Sequence, residues 1–238
     1  MILVVNCVLS ETLAQGFEES MAWSLEGCGV ATRVVRWTGL PDLGDPSVYS
    51  HLILSGSEAS VTEEQAWEQA LGDLVRQFVA ARKPVLGICY GHQFLAKTLA
   101  GPGHVRRAAK SEVGFLDLPL APNPLFHGLG QPLVMVTHDD EAFDLPEAFE
   151  VLASSPDCSV HAFQYRGLAV WGTQFHPECD AQHGEQIWRE RFSSTPEQVP
   201  PPPRQPERLE RNRQLFRNFV AAGNQEADPE VREACLGL

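Results

Sequence analysis

The run Pro84-Val85-Leu86-Gly87-Ile88-Cys89-Tyr90-Gly91-His92-Gln93 limits the fold of this chain more than any other segment. An apolar, β-branched stretch ends in glycine and then cysteine, and a second glycine and a helix-period segment follow at once. That pattern predicts a buried strand that turns sharply into a helix, with a thiol at the turn. A side chain placed there is pushed out beyond the sheet edge, among backbone N–H groups free to bind an anion. This is the geometry of a nucleophile elbow, with Cys89 in the position of the attacking group.

The flanking segments supply a sheet for such an elbow. Ile2 to Val5 is a short continuous apolar run, as expected of a strand buried on both faces. A helix is expected over 15–27, a second strand over Val30 to Trp37 and a third over His51 to Leu54. Thr62, with Glu63, Glu64 and Gln65 after it, predicts a helix start. Trp67, Leu71, Leu74, Val75, Phe78 and Val79 then fall on one helical face. Past Gly101 the segments near 113–120, 132–138, 149–154, 158–165 and 168–175 are short and β-rich and are expected to form a β meander, with a hairpin turn at Tyr165-Arg166-Gly167. The expected fold is α/β: three layers, a mostly parallel central sheet with helices on both faces, flavodoxin-like, plus added β strands. One domain is expected over 1–238. Residues 194–206, rich in proline, are expected to form an exposed loop, and 207–223 a C-terminal helix that packs through Leu209, Leu215, Phe216, Phe219 and Val220.

Composition narrows the function classes. A formal net charge of −13 disfavours nucleic acid and anionic membrane as partners, because phosphates would be repelled. No apolar stretch is long enough to span a bilayer. The start MILVVNCVLSE reads as a core strand rather than a signal peptide. The six cysteines have no paired spacing, so reduced thiols in a cytoplasmic protein are expected.

A cysteine nucleophile needs a base. His176 closes the strand-like run Leu168 to Phe175 and is followed by Pro177 and Glu178. Pro177 disfavours the α region at His176, and in extended chain residues i and i+2 point to the same side. Glu178 is thereby placed to hold the imidazole, as the third member of a triad does. Other histidines attract simpler readings. His92 is expected to be a packing or hydrogen-bonding residue, and Arg106, Arg107 and Lys110 a solvated basic face. His176, Cys179 and His183 lack a fourth ligand, so no metal site and no cofactor are expected.

Gly87-Ile88-Cys89-Tyr90-Gly91-His92-Gln93 and Gln174-Phe175-His176-Pro177-Glu178 resemble the two signature motifs of class I, triad-type glutamine amidotransferases. Leu54-Ser55-Gly56, Val136-Thr137-His138-Asp139-Asp140 and Leu145-Pro146 extend the resemblance over most of residues 1–180. The middle pattern is similar to the amidotransferase part of GMP synthase. The resemblance implies that Cys89 attacks the glutamine side-chain amide, that His176 is the general base and acid, and that Glu178 orients it. It implies oxyanion-hole donors at Tyr90 and at Ser57, where the family pattern has glycine. It implies substrate contacts at Gln93 and Asp140, and places the His138-Asp139-Asp140 loop at the substrate. Three activities share these residues: a glutaminase feeding ammonia to a separate synthetase partner, a γ-glutamyl peptidase or hydrolase, and a catalytically weak regulatory binding module.

Overall fold

Seven strands form one sheet in the computed structural model of the chain, which describes residues 1–39 and 41–222. In chain order the elements are β1 (Ile2–Asn6), α1 (Glu11–Leu25), β2 (Thr32–Arg36), β3 (His51–Leu54), α2 (Glu68–Ala80), β4 (Val85–Ile88) and α3 (Tyr90–Ala100). There follow β5 (Val105–Asp117), β6 (Leu133–Ala142), β7 (Phe149–Ala153), β8 (Ala162–Tyr165), β9 (Val170–Thr173), α4 (Ala181–Arg191), α5 (Glu207–Glu210) and α6 (Arg213–Ala222). The sheet order is β2-β1-β3-β4-β9-β8-β7. The first five strands in that order are parallel, and β8 and β7 extend the edge antiparallel. β5 and β6 stand apart as a two-stranded antiparallel unit.

This is the flavodoxin-like three-layer α/β arrangement with added strands. β1, β3, β4 and β9 are buried along their whole length, as central parallel strands covered on both faces must be. Two apolar clusters lie on the two sides. One joins Ile2, Val4, Phe17, Met21, Phe216 and Phe219, and the other joins Leu3, Val5, Leu71, Val75, Phe78 and Phe94. Tyr165, Arg166 and Gly167 make the expected hairpin turn. Arg166 and Gly167 have φ of 51° and 63°, the paired positive angles of a tight turn between twisted antiparallel strands.

Three expectations are corrected. The helix expected to start at Thr62 begins at Glu68. Ser60 Oγ and the Val61 N–H both donate to Asp140 Oδ2, at 2.6 and 3.1 Å, and this draws the segment away from helical geometry. The C-terminal helix is two helices, broken at 211–212, where buried Asn212 donates to the Leu133 carbonyl at 2.9 Å. Residue 223, and Cys235 with it, lies outside the described residues. The β-rich second half is not one continuous meander: β5 and β6 leave the sheet, and β9 inserts beside β4.

The elbow depends on close backbone packing. A Cβ added to Gly91 would sit 2.6 Å from the Leu54 carbonyl oxygen, and one added to Gly87 would sit 2.4 Å from the Gly91 carbonyl oxygen. Both clashes are with backbone that cannot rotate away. Gly91→Ala is therefore expected to destabilise the fold by about 3 kcal/mol, at the upper end of overpacking costs. In a chain of this size that lowers the melting temperature by roughly 6–12 °C, readable by calorimetry; an unchanged melting temperature would refute the packing argument.

Candidate active site

Cys89 lies between β4 and α3 with φ 50° and ψ −105°, a conformation that non-glycine residues avoid. Neighbouring strand ends hold it there. Its N–H donates to the Thr173 carbonyl at 2.8 Å, the Gly91 N–H donates to the Ser55 carbonyl at 3.0 Å, and the Gln93 N–H donates to the Cys89 carbonyl at 3.1 Å. The thiol projects past the sheet edge toward the Thr137 carbonyl, at 3.7 Å. The elbow geometry is thus present, with the sulfur at the wall of a cavity of about 550 Å³.

His176 arrives at the same place from β9. Its N–H donates to the Met135 carbonyl at 2.9 Å, which fastens the segment to β6. Its Nδ1 lies 2.8 Å from Glu178 Oε1, as the i, i+2 spacing predicts. Nε2 has no hydrogen-bond partner among the described residues. A Cβ built on Gly56 would lie 3.1 Å from the His176 ring and 3.5 Å from the Cys89 Cβ. Gly56, Cys89 and His176 thus converge on one point.

The electrostatics of the pair are unusual. Burial by itself disfavours the His176 imidazolium. The Glu178 carboxylate, and then the adjacent Cys89 sulfur, outweigh burial and raise the pKa to about 10. Two further thiols lie in this part of the fold. Burial pushes Cys7 up to about 12, and Cys179, which also lines the cavity, well above the ordinary thiol range. Such thiols stay protonated near neutral pH and are poor nucleophiles.

The remaining expected site residues divide. Tyr90 is the first residue of α3, so its N–H has no intrahelical acceptor. Its ring is in the core, stacked on Phe94. Ser57 lines the cavity without a positive φ, so serine is accommodated where glycine was expected. Its Oγ donates to the Cys7 carbonyl at 2.8 Å and accepts from the Ala59 N–H at 3.1 Å. The Ser57 N–H donates to no acceptor among the described residues.

Gln93 and Asp140 are placed away from the cavity. Gln93 is buried, and its amide nitrogen donates to the Asp140 carbonyl at 2.7 Å and to Gln174 Oε1 at 3.0 Å. The Asp140 carboxylate faces Ser60, Val61 and Arg107 instead. Its neighbour Asp139 lines the cavity, 2.7 Å from Arg191. Sequence reading missed the parity: along β6, Thr137 and Asp139 share the cavity side, and His138 and Asp140 point the other way. His92 is the packing residue expected, fully buried against Phe163. Arg106 and Arg107 pair with carboxylates of β6, and Lys110 pairs with Asp157. The cavity lining also includes the apolar Val8, Leu13, Phe17, Ile187 and Phe192, together with the polar Ser20, Glu58, His183, Gln186 and Glu190.

The profile of the family glutamine amidotransferase class-I matches residues 13–194. The chain is 41% identical over 109 residues to a subunit of the glutamine-hydrolysing GMP synthase of Thermococcus kodakarensis, a match covering 44% of this chain and 57% of that protein. It is 37% identical over 150 residues to the glutamine-hydrolysing GMP synthase of Bacteroides fragilis, covering 61% of this chain and 28% of that protein. The matched segment therefore spans little over half of the Thermococcus relative and about a quarter of the Bacteroides one. In fold, the chain is similar to the crystal structure of a glutamine amidotransferase from Thermotoga maritima, with a TM-score of 0.74 at 23% identity, over 94% of this chain and 98% of that one. No helix among the described residues is long and apolar enough to cross a membrane.

The raised pKa carries a sign that can be checked. A histidine whose pKa is higher in the folded state contributes stability that is complete below its unfolded value near 6.5 and is lost as pH rises through about 10. Glu178→Gln removes the strongest influence that raises it. In that variant the His176 ring, followed by NMR, is expected to lose its proton well below pH 10, and the alkaline fall in stability moves down with it. A titration unchanged by Glu178→Gln would refute the pairing.

Proposed function

The chain belongs to the glutamine amidotransferase class-I family, and from that premise we propose that it hydrolyses the side-chain amide of glutamine at Cys89, giving glutamate and ammonia. The observation that carries this reading is the convergence of the elbow thiol with the buried His176–Glu178 pair at the wall of one cavity. An imidazolium beside a sulfur stabilises negative charge on it. In the first half-reaction the Cys89 sulfur adds to the γ-carbonyl carbon, and His176 passes a proton to the departing nitrogen. Ammonia leaves and a γ-glutamyl thioester remains. In the second, water gives a proton to His176 and attacks the thioester, and glutamate and the free thiol result. The amides of Tyr90 and Ser57 are the donors proposed for the oxyanion, supported for Ser57 by an N–H with no acceptor among the described residues and by a place with Cys89 in the cavity lining. Substrate recognition is assigned to the cavity face of β6, with Asp139 in the part that the sequence suggests for Asp140.

The Thermococcus relative is named as a subunit of GMP synthase. By that likeness, the ammonia made here is proposed to pass to a synthetase carried on a separate chain. A second reading rests on the cavity. Its volume of about 550 Å³ and the apolar side chains of Val8, Leu13, Phe17, Ile187 and Phe192 in its lining suit a ligand larger than a free amino acid, since pockets of roughly 300–1,000 Å³ take drug-sized molecules. The same chemistry would then cleave a γ-glutamyl amide whose amine carries an apolar group.

Cys89→Ala is expected to lower ammonia release from glutamine by roughly a millionfold, the order seen on removing a nucleophile, with folding intact by circular dichroism. Release that persists in the variant sinks the assignment. Parallel turnover of glutamine and γ-glutamyl anilide separates the readings. An anilide kcat/KM higher by about tenfold or more favours the amide hydrolase. Glutamine turnover that rises on adding a synthetase chain favours ammonia supply.

A further inference from the structure

A second group of ionisable side chains is buried where the β5–β6 hairpin meets the loop between β7 and β8. Glu112 is on β5, His138 is its cross-strand partner on β6, and Cys158 and His161 are on the loop. One ligand atom from each lies within 4.8 Å of all the others. All four residues are more than nine-tenths buried, His161 completely. Glu112 Oε2 is 3.1 Å from His138 Nε2 and 3.0 Å from His161 Nε2.

The hydrogen atoms in this group do not balance if it is left to itself. His138 Nδ1 lies 3.0 Å from the Asp140 carbonyl. A carbonyl only accepts, so Nδ1 carries the hydrogen. In the neutral ring Nε2 is then a bare lone pair, aimed at a carboxylate oxygen that is also an acceptor. His161 is worse served: neither ring nitrogen makes an aligned hydrogen bond among the described residues. A buried polar group left without a partner loses its hydration and gains nothing in return. One cation bound by the carboxylate, both imidazoles and the thiolate would satisfy Glu112, His138 and His161 together.

We infer that Glu112, His138, Cys158 and His161 form a tetrahedral site for a divalent transition-metal ion of the zinc class. One oxygen, two nitrogens and one sulfur make a donor set that zinc accepts, at about 2.0–2.3 Å per bond. Such bonds set ligand atoms roughly 3.3–3.7 Å apart, so the two Glu112–His separations open by a few tenths of an ångström on binding. The outer contacts are those that orient metal ligands. His138 donates its other N–H to a backbone carbonyl, and Ser155 Oγ donates to Glu112 Oε1 at 2.8 Å. The Cys158 proton is released to solvent as the metal–sulfur bond forms. Four protein ligands leave no open position, so the ion is structural. It fastens loop 154–161 to the hairpin whose opposite face carries Thr137 and Asp139.

The test uses the full chain, stripped of metal and titrated with Co²⁺. The expected result is ~1 equivalent bound, with visible d–d bands of tetrahedral intensity and a sulfur-to-metal charge-transfer band. Zinc at a hundredfold excess over its Kd raises the melting temperature by roughly 5–10 °C. Cys158→Ser abolishes the charge-transfer band, while Cys179→Ser, in the His176–Glu178–Cys179 group, leaves it in place. His161→Ala weakens Co²⁺ binding at least tenfold, with the fold checked by circular dichroism. A folded wild-type chain that binds neither ion overturns the inference. A band lost in Cys179→Ser and kept in Cys158→Ser overturns it as well.

Discussion

The backbone contact of Gly91 with the end of β3 is the constraint on which the rest of the site depends. It seats α3 directly against the sheet and forces the turn into the single residue Cys89, at positive φ. Strain of that kind costs about 1–3 kcal/mol. It persists because the amides on either side are tied to Thr173 and Ser55, on neighbouring strand ends. The sheet order then brings in the partner. β9 lies beside β4 with Ile88 opposite Thr173, so a residue three places beyond Thr173 emerges next to one that follows Ile88. More than eighty residues of sequence separation are closed by one parallel pairing, and the His176–Glu178 pair needs only local extended geometry to finish the arrangement.

That division explains which parts were legible in the sequence. The elbow was legible because glycine, cysteine and glycine in an apolar run have few other physical uses. His176 and Glu178 were legible because proline fixes the backbone between them. The face of α6 was legible because Leu215, Phe216, Phe219 and Val220 follow helical spacing and all are buried. The start of α2 was not. Thr62 and its glutamates are good capping chemistry, but Asp140, nearly eighty residues away, captures Ser60 and Val61 first. Nor was the break at Asn212 legible, because a polar side chain within a helical pattern says nothing of the distant carbonyl it will meet.

Asp139 and Asp140 show the limit most sharply. Two adjacent carboxylates on a strand point to opposite sides, and only the strand's register decides which meets the cavity. Composition cannot choose between them. The Glu112–His138–Cys158–His161 group is illegible for a related reason. Its members are spread over fifty residues, and only Cys158 and His161 have a short spacing, too common by itself to mean anything. Charge and hydrogen-bond accounting on the folded chain is what distinguishes the group.

β6 therefore serves two sites through one alternation. Its odd-numbered residues give the Met135 carbonyl to His176, the Thr137 carbonyl to the Cys89 thiol, and Asp139 to the cavity. Its even-numbered His138 and Asp140 face the buried cluster and the Ser60 segment. A slip of one residue would exchange these roles completely. The hairpin with β5 is not a strong guard by itself, because its register already shifts between Arg107 and Glu112. Past that irregularity the first fixed pair is Glu112 with His138, which is also where the loop bearing Cys158 and His161 is anchored. A clamp at that pair sets the parity of every residue from Met135 to Asp140. The buried cluster thus acts on the cavity by holding β6 in the one register that presents Thr137 and Asp139 to it, without contributing an atom to the chemistry.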